Sequence, residues 1–238
     1  MNITIAIPTY DEAENLPKLV SALFSLPLPE LRLMIIDDNS PDGTGELAEK
    51  LALQYDGRIS VLHRPGKMGL GSAYIAGFKA AMAAGAQSVL QMDADFSHPV
   101  EKVPELLQTL ESCDFVIGSR YVPGGRLDDR WPLWRKALSG WGNFYARTIL
   151  GLPIHDVTGG FKLWRAATLR AIPLERIRSN GYVFQVELSY LASRLGFNAK
   201  EIPIYFADRR WGRSKMNFRI QMEAAMRTLQ LPFVYRDL

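Results

Sequence analysis

Five short apolar runs, each closed by polar or turn-forming residues, constrain the fold of this chain more than any other feature. They are Ile3 to Ile7, Leu31 to Ile36, Ile59 to Leu62, Ser88 to Met92 and Phe115 to Gly118. Their length and their lack of strict alternation are those of strands buried on both faces. Segments of helical periodicity lie between them. Leu16, Leu19, Val20 and Leu23 follow Asn15 on one face and stop before Pro27 and Pro29. Leu47 and Leu51, with Leu53 less regularly placed, mark a second helix. An alanine-rich helix runs from about Ser72 to Ala84 behind the glycine-rich Gly66 to Gly71. Val103, Leu106, Leu107 and Leu110 mark a fourth. Strands alternating with helices predict a three-layer α/β/α domain on a mainly parallel central sheet. No repeat, low-complexity tract or linker divides the chain, so residues 1–238 read as one domain.

Composition agrees. In 238 residues, 47% are hydrophobic, which supports a large core and excludes a disordered chain. A single cysteine excludes an internal disulfide; Cys113 beside the Phe115 run reads as a buried, inert thiol. His63, His98 and His155 lack metal-ligand spacing. The start has no basic or apolar leader, and no uncharged apolar run approaches membrane-spanning length. These features predict a cytoplasmic chain that does not span a membrane. Its charge is uneven: residues 1–115 carry 8 Lys and Arg against 16 Asp and Glu, and residues 116–238 carry 20 against 9. A basic second half points to an anionic partner, with a solvated basic face as the plainer reading.

In open sheets, ligands bind at the carboxyl ends of the strands. Here those ends carry Tyr10 and Glu12, Asp37 and Asp38, Asp93 and Asp95, then Arg120. Each alone reads as a cap or turn; the set does not. Asp93-Ala94-Asp95 is the most informative. Its two carboxylates can serve one divalent cation only if the chain turns, and Phe96-Ser97-His98-Pro99 supplies a turn. Hard oxygen ligands suit Mg²⁺ or Mn²⁺ shared with substrate phosphates. No G-x-G-x-x-G follows the first strand, and no Walker A, Ser-His-Asp or zinc pattern is present.

The second half is less regular. Trp134, Leu138, Trp141, Tyr145 and Ile149 form a helical stripe, with Arg135, Ser139, Gly142 and Ala146 on another face. Core packing and a helix lying in a membrane interface both produce this pattern. Asp156 to Lys162 contains Gly159-Gly160, a tight turn or a close approach of backbone to ligand. Val183 to Leu195 reads as a helix and Lys200 to Phe206 as an edge strand. Arg209, Arg210, Arg213 and Lys215 flank Trp211 and Gly212 in sequence, a pattern that reads as an anion clamp, with a solvated loop as the plainer reading. Phe218, Met222, Ala225, Met226 and Leu229 share one side of a last amphipathic helix.

Several blocks carry a resemblance: Ile7-Pro8-Thr9-Tyr10-Asp11-Glu12-Ala13-Glu14-Asn15, Ile35-Ile36-Asp37-Asp38-Asn39-Ser40-Pro41-Asp42-Gly43-Thr44, Asp93-Ala94-Asp95-Phe96-Ser97-His98-Pro99, Gly118-Ser119-Arg120-Tyr121 and Arg209-x5-Lys215. In this order they resemble the family 2 glycosyltransferases of the GT-A fold. More closely, they are similar to the dolichol- or polyprenol-phosphate mannosyltransferase branch. The resemblance implies a nucleotide-sugar half, about residues 1–122, and an acceptor half, about 123–238. It implies that Pro8, Tyr10, Glu12, Ile36 and Asp38 hold the guanine nucleotide of GDP-mannose. Asp93, Ala94 and Asp95 would hold the sugar-nucleotide and its Mg²⁺ or Mn²⁺, with Asp93 and Asp95 as metal ligands. Arg120, Arg135 and Ser139 would bind the acceptor phosphate, and Arg209 and Lys215 would close on the diphosphate. Asp95 and Arg120 would be catalytic. Ser97 stands where some relatives have a glutamine metal ligand, and Asn180 where some have lysine.

The implied reaction is inverting transfer of mannose to polyprenyl (dolichyl) phosphate. It places the chain peripherally on the cytoplasmic face of a membrane, with a small membrane subunit as a further candidate partner. The nearest alternative is the same fold using a UDP-sugar. A non-enzymatic alternative is a membrane-surface or nucleic-acid-binding protein; the acidic rim and the lack of a basic-aromatic module argue against nucleic acid.

Overall fold

A computed structural model describes residues 2–208 and 218–238. The expected α/β/α layering is present. Nine strands are found among the described residues: β1 (Ile3–Thr9), β2 (Leu31–Asp37), β3 (Ile59–His63), β4 (Ser88–Gln91), β5 (Phe115–Ser119), β6 (Arg126–Leu127), β7 (Lys162–Arg165), β8 (Ala199–Pro203) and β9 (Tyr205–Phe206). The helices are α1 (Leu16–Phe24), α2 (Thr44–Gln54), α3 (Leu70–Ala83), α4 (Val103–Leu110), α5 (Leu133–Leu150), α6 (Ala166–Ala171), α7 (Gly181–Arg194) and α8 (Phe218–Val234).

Seven strands form one sheet in the order β3-β2-β1-β4-β7-β5-β8. Every pairing is parallel except those of β7, which runs antiparallel to β4 and β5. Period-two alternation sorts the side chains into two cores. Ile3, Ile5 and Ile7 of β1 face Leu16, Leu19, Leu106 and Leu110, so α1, α2 and α4 cover that side. Ala6, Ile36, Val89 and Ile117 face Tyr74, Phe78, Leu188 and Leu191, so α3 and α7 cover the other. α7 is buried on nearly every side from Val183 to Ala192, as expected of a helix without a polar stripe. The small residues of α3 let it lie close on the sheet: a Cβ on Gly77 would sit 2.7 Å from Ile36 Cδ1.

The structure departs from the sequence reading at two places. β7 was not anticipated; Lys162-Leu163-Trp164-Arg165 has too short a pattern to declare itself. The expected edge strand Lys200–Phe206 is two strands. Pro203 has no N–H to continue a ladder, and at Ile204 the chain changes sheets. The Ile204 amide donates to Ser119 O at 3.0 Å, and its carbonyl accepts from Arg126 N at 3.0 Å. β9 then pairs with β6. For the α5 stripe, which the sequence left open between core and interface, Trp134 is 68% exposed and Trp141 57%, and the neighbouring Phe144 is 64% exposed, while Leu138 and Tyr145 are half-buried. Among the described residues, no helix is long and apolar enough to cross a membrane.

Candidate active site

The carboxyl ends of β1, β2, β4 and β5 meet on one rim, and the predicted residues line it in that order. At the β2 end, Asp38 Oδ1 lies 2.8 Å from Arg64 Nη1, and both are nearly buried. Arg64 Nη2 donates to Ser72 Oγ at 2.7 Å, which ties the pair to α3. Burial raises the Asp38 carboxyl above the ordinary carboxylate range against the pull of Arg64. Tyr10 lies under the Lys67 ammonium, 3.7 Å from the ring centre. Glu12 Oε2 accepts from Asn15 Nδ2 at 2.7 Å. Pro8 sits opposite Ile36 in the β1–β2 ladder, and Ile36 is fully buried against Gly77. Tyr10, Glu12 and Asp38 therefore share the rim, while the Ile36 side chain faces the core.

Past β4 the chain turns as expected. Phe96 takes a left-handed conformation with φ 62°. The Asp93 amide donates to His98 Nδ1 at 3.0 Å, and the Ser97 amide donates to Asp95 Oδ1 at 3.0 Å. The His98 ring stacks on Phe161 and meets the edge of Phe206. Tyr74, fully buried in α3, donates its hydroxyl to Asp93 Oδ1 at 2.8 Å. Burial, then the Asp93 carboxylate, hold the Tyr74 phenol well above its usual pKa, so it remains a donor. Ala94 is buried between the two carboxylates.

This turn suits a hard divalent cation. It offers two carboxylates and the buried Ser97 hydroxyl, which has no hydrogen-bond partner. Among the described residues, no three His, Cys, Asp or Glu side chains cluster as a closed metal cage. An ion here would draw its other ligands from substrate phosphates and water, as Mg²⁺ and Mn²⁺ do.

At the β5 end, Arg120 is held by the buried Asp156. Its Nε donates to Oδ2 at 2.7 Å and its Nη2 to Oδ1 at 2.6 Å. Nη2 also reaches Thr158 Oγ1 at 2.9 Å. Burial opposes both charges, yet Arg120 holds the Asp156 carboxyl below the usual range, and Asp156 raises Arg120 in turn. Glu201 fixes the loop from behind, accepting from the amides of His155 and Asp156. Arg135 stacks on Trp131 at 3.6 Å and lies 3.4 Å from Asp208 Oδ1. Tyr121 donates its hydroxyl to Ser139 Oγ at 2.7 Å.

Arg120, Arg135 and Ser139 all line one cavity of about 160 Å³. Its other walls are largely apolar, from Leu138, Trp141 and Tyr145 on α5, Val186 on α7 and Ala225 on α8. The three predicted acceptor residues are thus brought together. Arg209 and Lys215 lie outside the described residues.

Sequence reasoning missed four contributors: Tyr74, Asp156, Thr158 and Lys162. Lys162 is wholly buried and donates to Val157 O, Gln185 O and Ser189 Oγ at 3.0, 2.8 and 2.8 Å. Burial pushes its ammonium down to about 7, against the pull of Asp156. The signal was available. Asp156 and Lys162 stand among Ile154, Val157, Phe161 and Leu163, and charges in an apolar segment are buried only when partnered.

Comparison with known proteins bears on the family and the fold. The family model described as glycosyl transferase family 2 matches residues 4–172. An undecaprenyl-phosphate mannosyltransferase of Micrococcus luteus is 45% identical over 226 residues, covering 95% of this chain and 92% of that protein. A polyprenol monophosphomannose synthase of Mycolicibacterium smegmatis is 44% identical, covering 90% and 80%. Among solved structures, the mannosyl-3-phosphoglycerate synthase of Rubrobacter xylanophilus superposes with a TM-score of 0.69 at 14% identity, over 100% of this chain and 76% of that one. A mannosyltransferase of Pyrobaculum calidifontis, in complex with GDP-Man and Mn²⁺, gives 0.64 at 14%, over 99% and 68%. At such identities the structural likeness speaks for the fold, and the sequence matches speak for kinship. With the family model over most of its length and close relatives over nearly all of it, this GT-A chain belongs to glycosyl transferase family 2.

Proposed function

We propose that the protein transfers mannose from GDP-mannose to a polyprenyl monophosphate with inversion, releasing GDP. The observation that carries this reading is the cavity between α5, α7 and α8. It is apolar along its walls and lined by Arg120, Arg135 and Ser139, which suits an anionic head on a hydrocarbon tail. The names of the two close relatives support the same donor sugar and acceptor class.

The acceptor phosphate oxygen attacks the anomeric carbon from the face opposite GDP. The new C–O bond forms as the bond to the diphosphate breaks, and the diphosphate leaves with the electron pair. A phosphate monoester has a second pKa near 6 and is mostly dianionic at neutral pH, so no strong general base is required. Arg120 and Arg135 orient the nucleophile and offset its repulsion from the donor. Arg120 can do so without moving, because Asp156 holds the Nε–Nη2 edge of its guanidinium through both carboxylate oxygens. Tyr10, Glu12 and Asp38 face the guanine nucleotide. Asp93 and Asp95 would hold Mg²⁺ or Mn²⁺, and the ion would supply charge neutralisation at the leaving diphosphate. Arg209 and Lys215 are proposed to act on the same diphosphate.

The exposed aromatic face of α5, with Phe233 of α8 at 77% exposure, supports peripheral attachment to the cytoplasmic face of a membrane. A small membrane subunit is the other route to that surface. Sedimentation of the protein alone with liposomes separates the two.

The test is transfer of radiolabelled mannose from GDP-mannose into organic-extractable lipid, with polyprenyl phosphate and Mg²⁺ or Mn²⁺, beside a UDP-glucose control. Label that disappears with chelator and with Asp95→Ala supports the proposal. Label from UDP-glucose alone keeps the mechanism and changes the donor. Label from neither overturns it.

A further inference from the structure

Tyr74 lies on the helix that the sequence presents as plain alanine-rich packing. Its ring needs no hydroxyl there. It lies 6.0 Å from Phe184 with planes 2° apart and 5.9 Å from Phe78, and a phenylalanine would fill the same space. The hydroxyl instead reaches the rim, where it donates to Asp93 Oδ1. Nor can the phenol swing away. α3 is held against the sheet at Gly77, and at Gly71 a Cβ would meet Ser179 O at 2.7 Å. Asp93 is therefore pinned twice, through its amide by His98 and through one carboxylate oxygen by Tyr74.

We propose that Tyr74 is a positioning residue that makes Asp93 a one-oxygen metal ligand, and so favours Mg²⁺ or Mn²⁺ over Ca²⁺ at this site. The inference rests on the metal role given to Asp93 and Asp95 in the proposed function. A donor on Oδ1 leaves Oδ2 as the oxygen that meets the ion. Mg²⁺ requires near-octahedral coordination by single oxygens at 2.0–2.1 Å, whereas Ca²⁺ readily takes both oxygens of a carboxylate at 2.3–2.6 Å. Occupying one oxygen selects against the larger ion. It also orients the ligand, as hydrogen bonds to metal-bound carboxylates generally do.

The test is Mn²⁺ binding followed by electron paramagnetic resonance with GDP present, then displacement of Mn²⁺ by Ca²⁺. Tyr74→Phe should weaken Mn²⁺ binding by about tenfold or more, the usual effect of losing such a partner. It should also lower the Ca²⁺ concentration needed for displacement, and excess Mn²⁺ should rescue turnover. Phe184→Leu keeps the hydroxyl and loosens the stack. It should lower thermal stability and leave Mn²⁺ affinity unchanged. Wild-type Mn²⁺ and Ca²⁺ behaviour in Tyr74→Phe would overturn this inference alone, as would an equal loss of Mn²⁺ affinity in Phe184→Leu. No Mn²⁺ binding by the wild type would overturn the metal reading and this inference with it.

Discussion

Arg120 grips Asp156 by both carboxylate oxygens, and its own backbone amide adds a third bond, to Oδ2 at 2.9 Å. Both side chains are almost completely buried. Removing one partner leaves an uncompensated charge in the interior, which costs roughly 3–5 kcal/mol. Asp156→Asn should therefore lower Tm by on the order of 10 °C in a domain of this size. Calorimetry checks this, and a change of under about 2 °C would contradict it. The pH dependence follows from the lowered carboxyl. The stabilisation is complete above the ordinary aspartate pKa and is lost as pH falls through the folded value.

Lys162 titrates in the opposite range. Below about 7 it carries its proton in the folded and the unfolded chain alike. Between there and the ordinary lysine value near 10.4 the unfolded chain binds the extra proton, so this residue makes stability rise with pH. Asp156 and Glu201 favour the charged form, while burial and Arg120 oppose it. Denaturation midpoints at pH 7 and pH 9 should diverge: the wild type gains on Lys162→Met as pH rises. Parallel curves would show that the lysine does not titrate in this window.

Arg135 has an anionic partner already. Asp208 Oδ1 lies 3.4 Å from its Nη1, and on the proposed assignment it would compete with an acceptor phosphate there. Arg135→Ala should raise the KM for lipid phosphate about tenfold or more, as loss of a charged hydrogen bond does, and leave the KM for GDP-mannose unchanged. Asp208→Asn should lower the acceptor KM by about two- to fivefold, the size of a half-exposed ion pair. Equal effects on both substrates would contradict the division of roles.

Trp134 and Phe144 expose large apolar surface outside the cavity. Seating such rings in a lipid interface stabilises attachment by about 1 kcal/mol or more each. The double variant Trp134→Ser/Phe144→Ser should bind anionic liposomes at least roughly tenfold more weakly. Its turnover on a short, water-soluble acceptor should stay at the wild-type level. Undiminished sedimentation would place the membrane contact elsewhere.

How much of this was legible beforehand divides along physical lines. The strands β1 to β5 and the rim they build were readable, because apolar runs ending in acids report burial and strand end together. β7 was not. Its four residues pair with strands at Gln91 and Ile117, far away in sequence, and non-local pairing leaves little local trace. The Asp156 clamp was hidden for the same reason, since its partner lies 36 residues upstream. Trp134 and Trp141 were ambiguous because helical spacing reports that a face is apolar, not what covers it. Tyr74 was overlooked because a tyrosine among alanines reads as packing until its hydroxyl is seen to have somewhere to go.

The inserted strand β7 has one more consequence. The strand that delivers Asp93 and the strand that delivers Arg120 are not neighbours; β7 holds them two ladder steps apart. At the usual strand spacing that is roughly 9–10 Å. Two phosphates brought to these strand ends would be kept apart by the backbone itself, with an interval between them that a single sugar ring can occupy. On the proposed assignment of sites, the sheet would serve as a ruler between donor and acceptor. Its length is set by main-chain hydrogen bonds, so exchanging side chains on β4 or β5 would alter what binds at either mark and leave the distance between the marks as it is.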